Sequence, residues 1–439
     1  SDHFWELAQQ EYEAMYILDE SSSARELTKA FYSGAILGFY DSVLDEMVLV
    51  LSNREQGVDE SILAHELNHA LTDQYFPRIY RFNSDLTDKG LAVQAVIEGD
   101  AVRTEDLYVQ RCSSGIYTDC SSTVATGSIS VTPPLGFRLL VFFPYSEGPP
   151  MIREIQALGG IEGLDSLYST FPQSTEQIIH PQKYLSDTPR NLEVSDTSDE
   201  LWTVLGDDIL GEAGIYAMFR NKGVVSPIGA GYISTPSEGW DGDLLRIYKK
   251  GGEYGYVWKT IWDTENDAIE FQQAYEQLLL KIGAVDQGRF WRIDTNDYVV
   301  TQRQLNVVTI VNAPDSRELG KIYTPLDSLP VHVTVEYQYH NLKDIETIEL
   351  GSSLSLKLGV VSDADTSTVL VTTIRDETDR LVSISFATVQ LHEGVPLDLE
   401  TTWVPPASGH YVVTTFAWHD LKDPTPLSQE STDRILVMP

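Results

Sequence analysis

The 439-residue chain is poor in cysteine (2) and in basic residues (30 Lys and Arg against 66 Asp and Glu). It also has no run of the roughly 18 apolar residues that a membrane-crossing helix requires, so no transmembrane segment is expected. A formal net charge of −36 argues against nucleic acid or an anionic membrane as partner, because gripping phosphates needs the opposite sign. It suits solubility in salty surroundings or beside a charged envelope, and equally an ordinary acidic proteome. The two cysteines, Cys112 and Cys120, bracket a Ser/Gly-rich stretch. Either a disulfide in an oxidising compartment or two free thiols fits that spacing. The chain starts at Ser1 without methionine, compatible with a removed secretion signal, and an extracellular or cell-surface location is expected. Its length suits about three domains.

What is present is concentrated in Ile62-Leu63-Ala64-His65-Glu66-Leu67-Asn68-His69-Ala70-Leu71. Residues four apart lie one turn above each other on a helix, so His65 and His69 can close on a single metal ion, with Glu66 beside them. Two imidazoles and a third protein ligand leave one position on a zinc ion for water, and a neighbouring carboxylate can act as general base. The competing reading is a solvated helix face that carries the pattern by coincidence. The context favours a packed helix: Ile62, Leu63, Leu67, Ala70 and Leu71 form an apolar stripe, Asp59 and Glu60 stand at its start, and Pro77 follows its end. Met47 to Leu51 reads as a preceding strand.

A third ligand is sought in the next helical stretch, Lys89 to Gln110. Glu98 is the candidate, because the adjacent Gly99 costs a helix about 1 kcal/mol relative to alanine and so needs a reason, namely close approach to the metal helix. Glu98 as an ordinary exposed acid is the alternative. Asp73 and Asp100 are weaker candidates for orienting the imidazoles.

The segment from His65 to Asp73 resembles the zinc helix of thermolysin-like gluzincins, and Glu98-Gly99-Asp100-Ala101 resembles their downstream glutamate ligand. A closer resemblance is to a group of secreted or cell-surface metallopeptidases of archaea, haloarchaea among them. It also rests on Gly38 to Asp41, Ser174 to Tyr184, Gly239 to Asp243 and Val307 to Pro314. The Asn-Glu-x-x-Ser-Asp ligand box of thermolysin is absent. The resemblance implies one zinc ion on His65, His69 and Glu98, with Glu66 as base. It also implies a donor that steadies the oxyanion. Of the nine histidines only His3, His65, His69 and His180 precede His332, and two of these four are taken by the motif. By elimination His180, with Tyr184 four residues on, is the candidate, a purely local role for His180 being the competing view.

The fold expected is multidomain: a mostly α-helical, gluzincin-like core over residues 1–238, a small α+β unit over 239–325, and an immunoglobulin-like β-sandwich over 326–439. Residues 201–220 read as one amphipathic helix carrying Glu212. Trp240, Trp258, Trp262 and Trp291 read as core, or less readily as a substrate platform. His332, His340, His392, His410 and His419 show no motif spacing. Two functions follow. One is a secreted or surface zinc endopeptidase acting on protein or peptide substrates and attached to cell-envelope components. The other is a non-catalytic envelope or adhesion protein that keeps zinc as a staple.

Overall fold

A computed structural model describes residues 2–49, 59–76, 87–118, 120, 131–195, 197, 199–226, 231–288, 290–324, 333–337, 346–362, 366–392, 395–418, 421, 427–428 and 431–439. The chain divides into two compact units, Ser1–Val285 with Arg292–Thr324, and Asp286–Trp291 with Pro325–Pro439.

The chain opens with helices α1 (Asp2–Ala14) and α2 (Ala24–Ala35) and a hairpin of β1 (Gly38–Asp41) and β2 (Glu46–Leu49). Val50, Leu51 and Pro77 lie outside the described residues. The helix that carries His65, Glu66 and His69 is α3 (Glu60–Tyr75), and Asp59 caps it by accepting from the Ser61 N–H at 3.0 Å, which satisfies one of the first turn's orphan donors. Next come α4 (Thr87–Ser113), α5 (Leu135–Ser169), α6 (Thr175–Ile179), β3 (Thr203–Asp208) and α7 (Gly211–Asn221). The rest of this stretch comprises β4 (Trp240–Lys250), β5 (Glu253–Trp262), α8 (Glu265–Lys281), β6 (Val285–Asp286), β7 (Trp291–Asp294), β8 (Asp297–Gln304), β9 (Val307–Ala313) and α9 (Ser316–Ile322). Helix α5 runs on through Pro149 and Pro150 and turns only at Gly160, whose φ is 64°.

Strands β3 to β9 form a seven-stranded sheet in the order β3-β4-β5-β9-β8-β7-β6. Helix α8 covers it, with Phe271 packed on Trp258 and Trp262 at ring-centroid distances of 5.4 and 4.8 Å. Trp240, Trp258 and Trp262 are fully buried and are core, not a substrate platform; Trp291 is half-buried.

A mostly α-helical, gluzincin-like core is therefore not what the chain forms. Helix accounts for 40% and strand for 32% of the structure, and helices and the large sheet share the first unit. The first strand of that sheet lies at 203–208, inside the stretch read as one helix. The apolar residues there have helix-compatible spacing, but Gly211 sits at φ 68°, a left-handed conformation at which a right-handed helix starts or stops. The segment before it is drawn out by pairing with β4, with a bulge between Val204 and Gly206. Pairing partners forty residues away are invisible to periodicity.

The same region explains two sequence motifs. Buried Asp243 accepts from the N–H groups of Leu210 and Gly211, each at 2.9 Å, and from the Trp240 indole at 2.8 Å. Asp88, at the start of α4, accepts from the Thr175 N–H at 2.9 Å and from the Thr175 hydroxyl. Thr87 N–H in turn donates to Asp208 at 2.7 Å. A Cβ on Gly211 would lie 1.8 Å from an Asp88 oxygen, so only glycine fits. Thr175 thus anchors the first turn of α4 through Asp88, and Asp243 anchors the start of α7 at Leu210 and Gly211.

The second unit holds β10 (Val333–Tyr337), β11 (Glu346–Glu349), β12 (Leu354–Ser362), β13 (Thr366–Asp376), β14 (Leu381–Leu391), β15 (Leu397–Trp403), β16 (Gly409–Trp418) and β17 (Ser431–Met438). They form a three-stranded sheet, β10-β12-β15, and a five-stranded sheet, β11-β17-β16-β13-β14. Side chains from both sheets share one core, for example Val335 and Val360 with Leu370 and Ala417, which makes a two-layer sandwich. His332, His340 and His419 lie outside the described residues.

Candidate metal centre

Helices α3 and α4 run antiparallel side by side. Glu60 meets Tyr108, Ser61 meets Glu105, and Asn68 meets Thr104 and Asp100. That register brings Glu98 to the two histidines. Its Oε2 lies 3.2 Å from His65 Nε2 and 3.4 Å from His69 Nε2, and one ligand atom from each of the three residues falls within a 4.8 Å group. Among the described residues, this is the group of three or more His, Cys, Asp or Glu side chains arranged to hold a metal ion. Two imidazole nitrogens and one carboxylate oxygen are the donor set a catalytic zinc takes, with the fourth position left open.

Glu66 is 5% exposed, and its Oε2 has no hydrogen-bond partner. The Tyr40 N–H of β1 serves the carboxyl group. Strand β1 lies close over this point, since a Cβ on Gly38 would come within 3.3 Å of Glu66 Cγ. Burial pushes the Glu66 carboxyl above its ordinary range, and the two imidazoles pull the other way. A buried carboxylate oxygen without a donor is costly.

Burial works against a charge on His65, but hydrogen bonds to Glu105 and Glu98 outweigh it and push the imidazole up to about 9. Glu98, despite its own burial, is held down at about 2 by the two histidines. Without metal, His65 and Glu98 therefore form an ion pair, and a metal ion entering between them would displace a proton.

Three features of the site were not read from the sequence. Glu105 Oε2 stands 3.5 Å from His65 Nδ1, which leaves Nε2 facing Glu98; a carboxylate behind a ligand imidazole fixes its orientation. Its signal was available, because Glu105 lies seven residues after Glu98 and so on the same helix face. Tyr145, on α5, stacks on His65 with ring centroids 6.4 Å apart and an interplanar angle of 18°. Burial and then the Glu98 charge raise its phenol, so it stays a protonated donor. Tyr32, on α2, is raised by the same two causes in the same order. No local pattern announces either tyrosine.

Gly99 has a different purpose from the one expected. A Cβ there would lie 2.5 Å from the Gly148 carbonyl carbon, and one on Gly148 would lie 2.1 Å from the Ala95 oxygen. The glycines let α4 approach α5, not the metal helix. That contact is what carries Tyr145, three residues before Gly148, to the centre. Asp100 accepts from Asn68, Arg103 and Tyr168, and Asp73 accepts from Tyr40.

His180 and Tyr184 are engaged elsewhere. His180 Nε2 meets Glu212 at 3.2 Å, and the Tyr184 hydroxyl donates to Thr170 O at 2.6 Å. Glu212 follows Gly211, which packs on Asp88. Ten residues of α4 separate Asp88 from Glu98, about 15 Å along the helix. The sulfurs of Cys112 and Cys120, at the far end of α4, are joined in a disulfide with a Cα–Cα distance of 6.0 Å.

Residues 202–323 match a family model described as a domain of unknown function (DUF8575). The match covers β3 to α9, less than half of the chain, and does not include the metal centre. No curated protein matches the sequence. Among solved structures, the CARDB domain of a Pyrococcus furiosus protein, crystallised with di-metal ions, is 18% identical over 24% of this chain and 93% of that one, with a TM-score of 0.20. A Listeria innocua beta-glucosidase is 14% identical over 24% of this chain and 16% of its own, with a TM-score of 0.19. A Bacteroides uniformis beta-glucuronidase is 15% identical over 32% of this chain and 18% of its own, at 0.19. None of these likenesses bears on the chemistry of the centre.

Proposed function

We propose that this protein is a zinc-dependent peptidase that hydrolyses peptide bonds in protein or peptide substrates outside the cell or at its surface. The observation that carries the reading is the convergence of His65, His69 and Glu98 beside a buried carboxylate, Glu66, whose Oε2 lacks a partner. A zinc ion held there would supply Lewis acidity toward a carbonyl and lower the pKa of water. Glu66 takes a proton from the attacking water and passes it to the leaving amine. Glu105 holds the His65 ring, and the Tyr40 N–H holds Glu66. Tyr145, protonated and next to Glu98, donates to the developing negative charge on the substrate carbonyl oxygen, the part His180 was expected to play. The extracellular setting is supported by the Cys112–Cys120 bridge, since such bonds persist in oxidising compartments.

A purely structural zinc is usually closed by four protein ligands; among the described residues the converging group has three. The deciding experiment measures zinc content and peptide hydrolysis for the wild type and Glu66→Gln. One zinc per chain in both, with hydrolysis in the wild type alone, is the expected result. Zinc in both with hydrolysis in neither defeats the enzyme reading, and a zinc-free wild type defeats the metal as well.

A further inference from the structure

Among the described residues the two sheets of the second unit end on four edge strands, β10, β15, β11 and β14, and β14 differs from the rest. The sequences of the other three include acids: Glu336 in β10, Asp398 and Glu400 in β15, Glu349 in β11. Charge on an edge is how a sheet deters pairing with a further strand. Strand β14, from Leu381 to Leu391, has no charged residue and no proline. Among the described residues it pairs with β13 alone, so every second residue turns its N–H and C=O toward an open side. Ile384 to Thr388 are exposed five in a row, which leaves the middle of the strand bare on both faces.

The sheet face beside this edge supplies a separate observation. The register aligns Phe386 with Val371 and Phe416, and Thr388 with Val369 and Trp418. These residues alternate with Leu370, Ile374, Val413 and Ala417, which belong to the sandwich core, so they form the outward face. An antiparallel sheet packed on one side ordinarily keeps that face polar. Here an apolar row runs out to the open edge, where Phe386 is 50% and Ile384 47% exposed. Charge decides what continues it. Two chains of net charge −36 repel each other wherever acids meet, and a basic partner is drawn to acidic surface, not to a strand without charge. The uncharged edge is where two copies meet without that penalty.

We propose that β14 pairs antiparallel with β14 of a second copy about a two-fold axis at Ser385, so that two five-stranded sheets become one continuous sheet. Ile384 then stands opposite Phe386 of the second copy, a β-branched and aromatic pair of the kind that stabilises sheets. Leu381 meets Val389 and Arg380 meets Gln390, with no like charges opposed. A strand of this length spans about 37 Å, and such an edge contact buries roughly 800 Å² over both copies, the size of a weak, reversible association. The test is sedimentation equilibrium of the full chain across a concentration series, at low and at high salt. A reversible dimer is expected, tighter at high salt because screening relieves the repulsion between two acidic chains. Ile384→Lys and Phe386→Lys, both at half-exposed positions, should weaken it by about tenfold or more while the circular dichroism spectrum stays that of the wild type. Both native cysteines are joined in the Cys112–Cys120 bridge, so Ser385→Cys adds a single thiol, and mild oxidation should yield a covalent dimer. A chain monomeric throughout, a dimer that loosens with salt, a dimer indifferent to both lysine variants, or a dimer in which Ser385→Cys forms no bridge would each overturn the proposal.

Discussion

Replacing Gly99 with alanine tests the packing on which the centre depends. The added Cβ would sit 2.5 Å from the Gly148 carbonyl carbon and 2.8 Å from its Cα and oxygen. All three are backbone atoms, so no rotamer change can make room. Restoring a carbon–carbon separation near 3.5 Å moves α4 and α5 apart by roughly 1 Å. Overpacking of this kind costs about 1–3 kcal/mol, and a backbone clash belongs at the upper end. Alanine returns about 1 kcal/mol of helix propensity, which leaves a net loss of about 2 kcal/mol. For a unit of this size that lowers Tm by about 4 °C, at the small end of the usual scaling. Thermal unfolding of the metal-free protein reads it directly. Gly159→Ala, also in α5 but with nothing within 4 Å of the new Cβ, is the control and should be neutral or stabilising by up to about 1 kcal/mol. A Gly99→Ala protein as stable as the wild type would refute the claim that two glycines set the α4–α5 distance.

Other consequences can be measured separately. Tyr145→Phe should reduce kcat by about 10²–10³ with zinc content unchanged, the loss typical of one oxyanion donor; unaltered kcat removes Tyr145 from the chemistry. Glu105→Gln should weaken zinc binding by about 10–100-fold in chelator competition, as removal of a carboxylate behind a ligand histidine does; equal affinity would make Glu105 a bystander. Asp88 and Glu176 are pushed up to about 8 and Asp243 to about 6, by burial first in each case. Between about pH 4 and pH 8 the folded chain holds protons that the unfolded chain has released. Stability is therefore greatest below the unfolded carboxyl values and falls as pH rises through that window. The urea midpoint should be higher at pH 5 than at pH 8, and a midpoint that rises with pH contradicts the assignment.

Much of α3 was legible because its information is local. The spacing of His65 and His69, the position of Glu66 and the Asp59 cap all act within one turn or two. Glu98 was found because it carries an unusual neighbour, although Gly99 is there for α5. The stretch 201–220 was misread because helical spacing of apolar residues does not register a strand partner at Leu245–Lys249. His180 was nominated because so few histidines precede residue 332; elimination says nothing about distance, and the folded chain ties it to Glu212.

Residues within a few positions of one another thus decided, from sequence alone, that a helix here would present two imidazoles and an acid in a fixed order. Tertiary structure decided which distant groups meet them. The antiparallel register of α3 and α4 selects Glu98 and Glu105, the Gly99–Gly148 contact brings Tyr145, and β1 covers Glu66. The physical reason is that a helix fixes the relative positions of its own side chains through short-range hydrogen bonds. The position of one helix against another depends instead on the shapes of both surfaces, and no single segment encodes that.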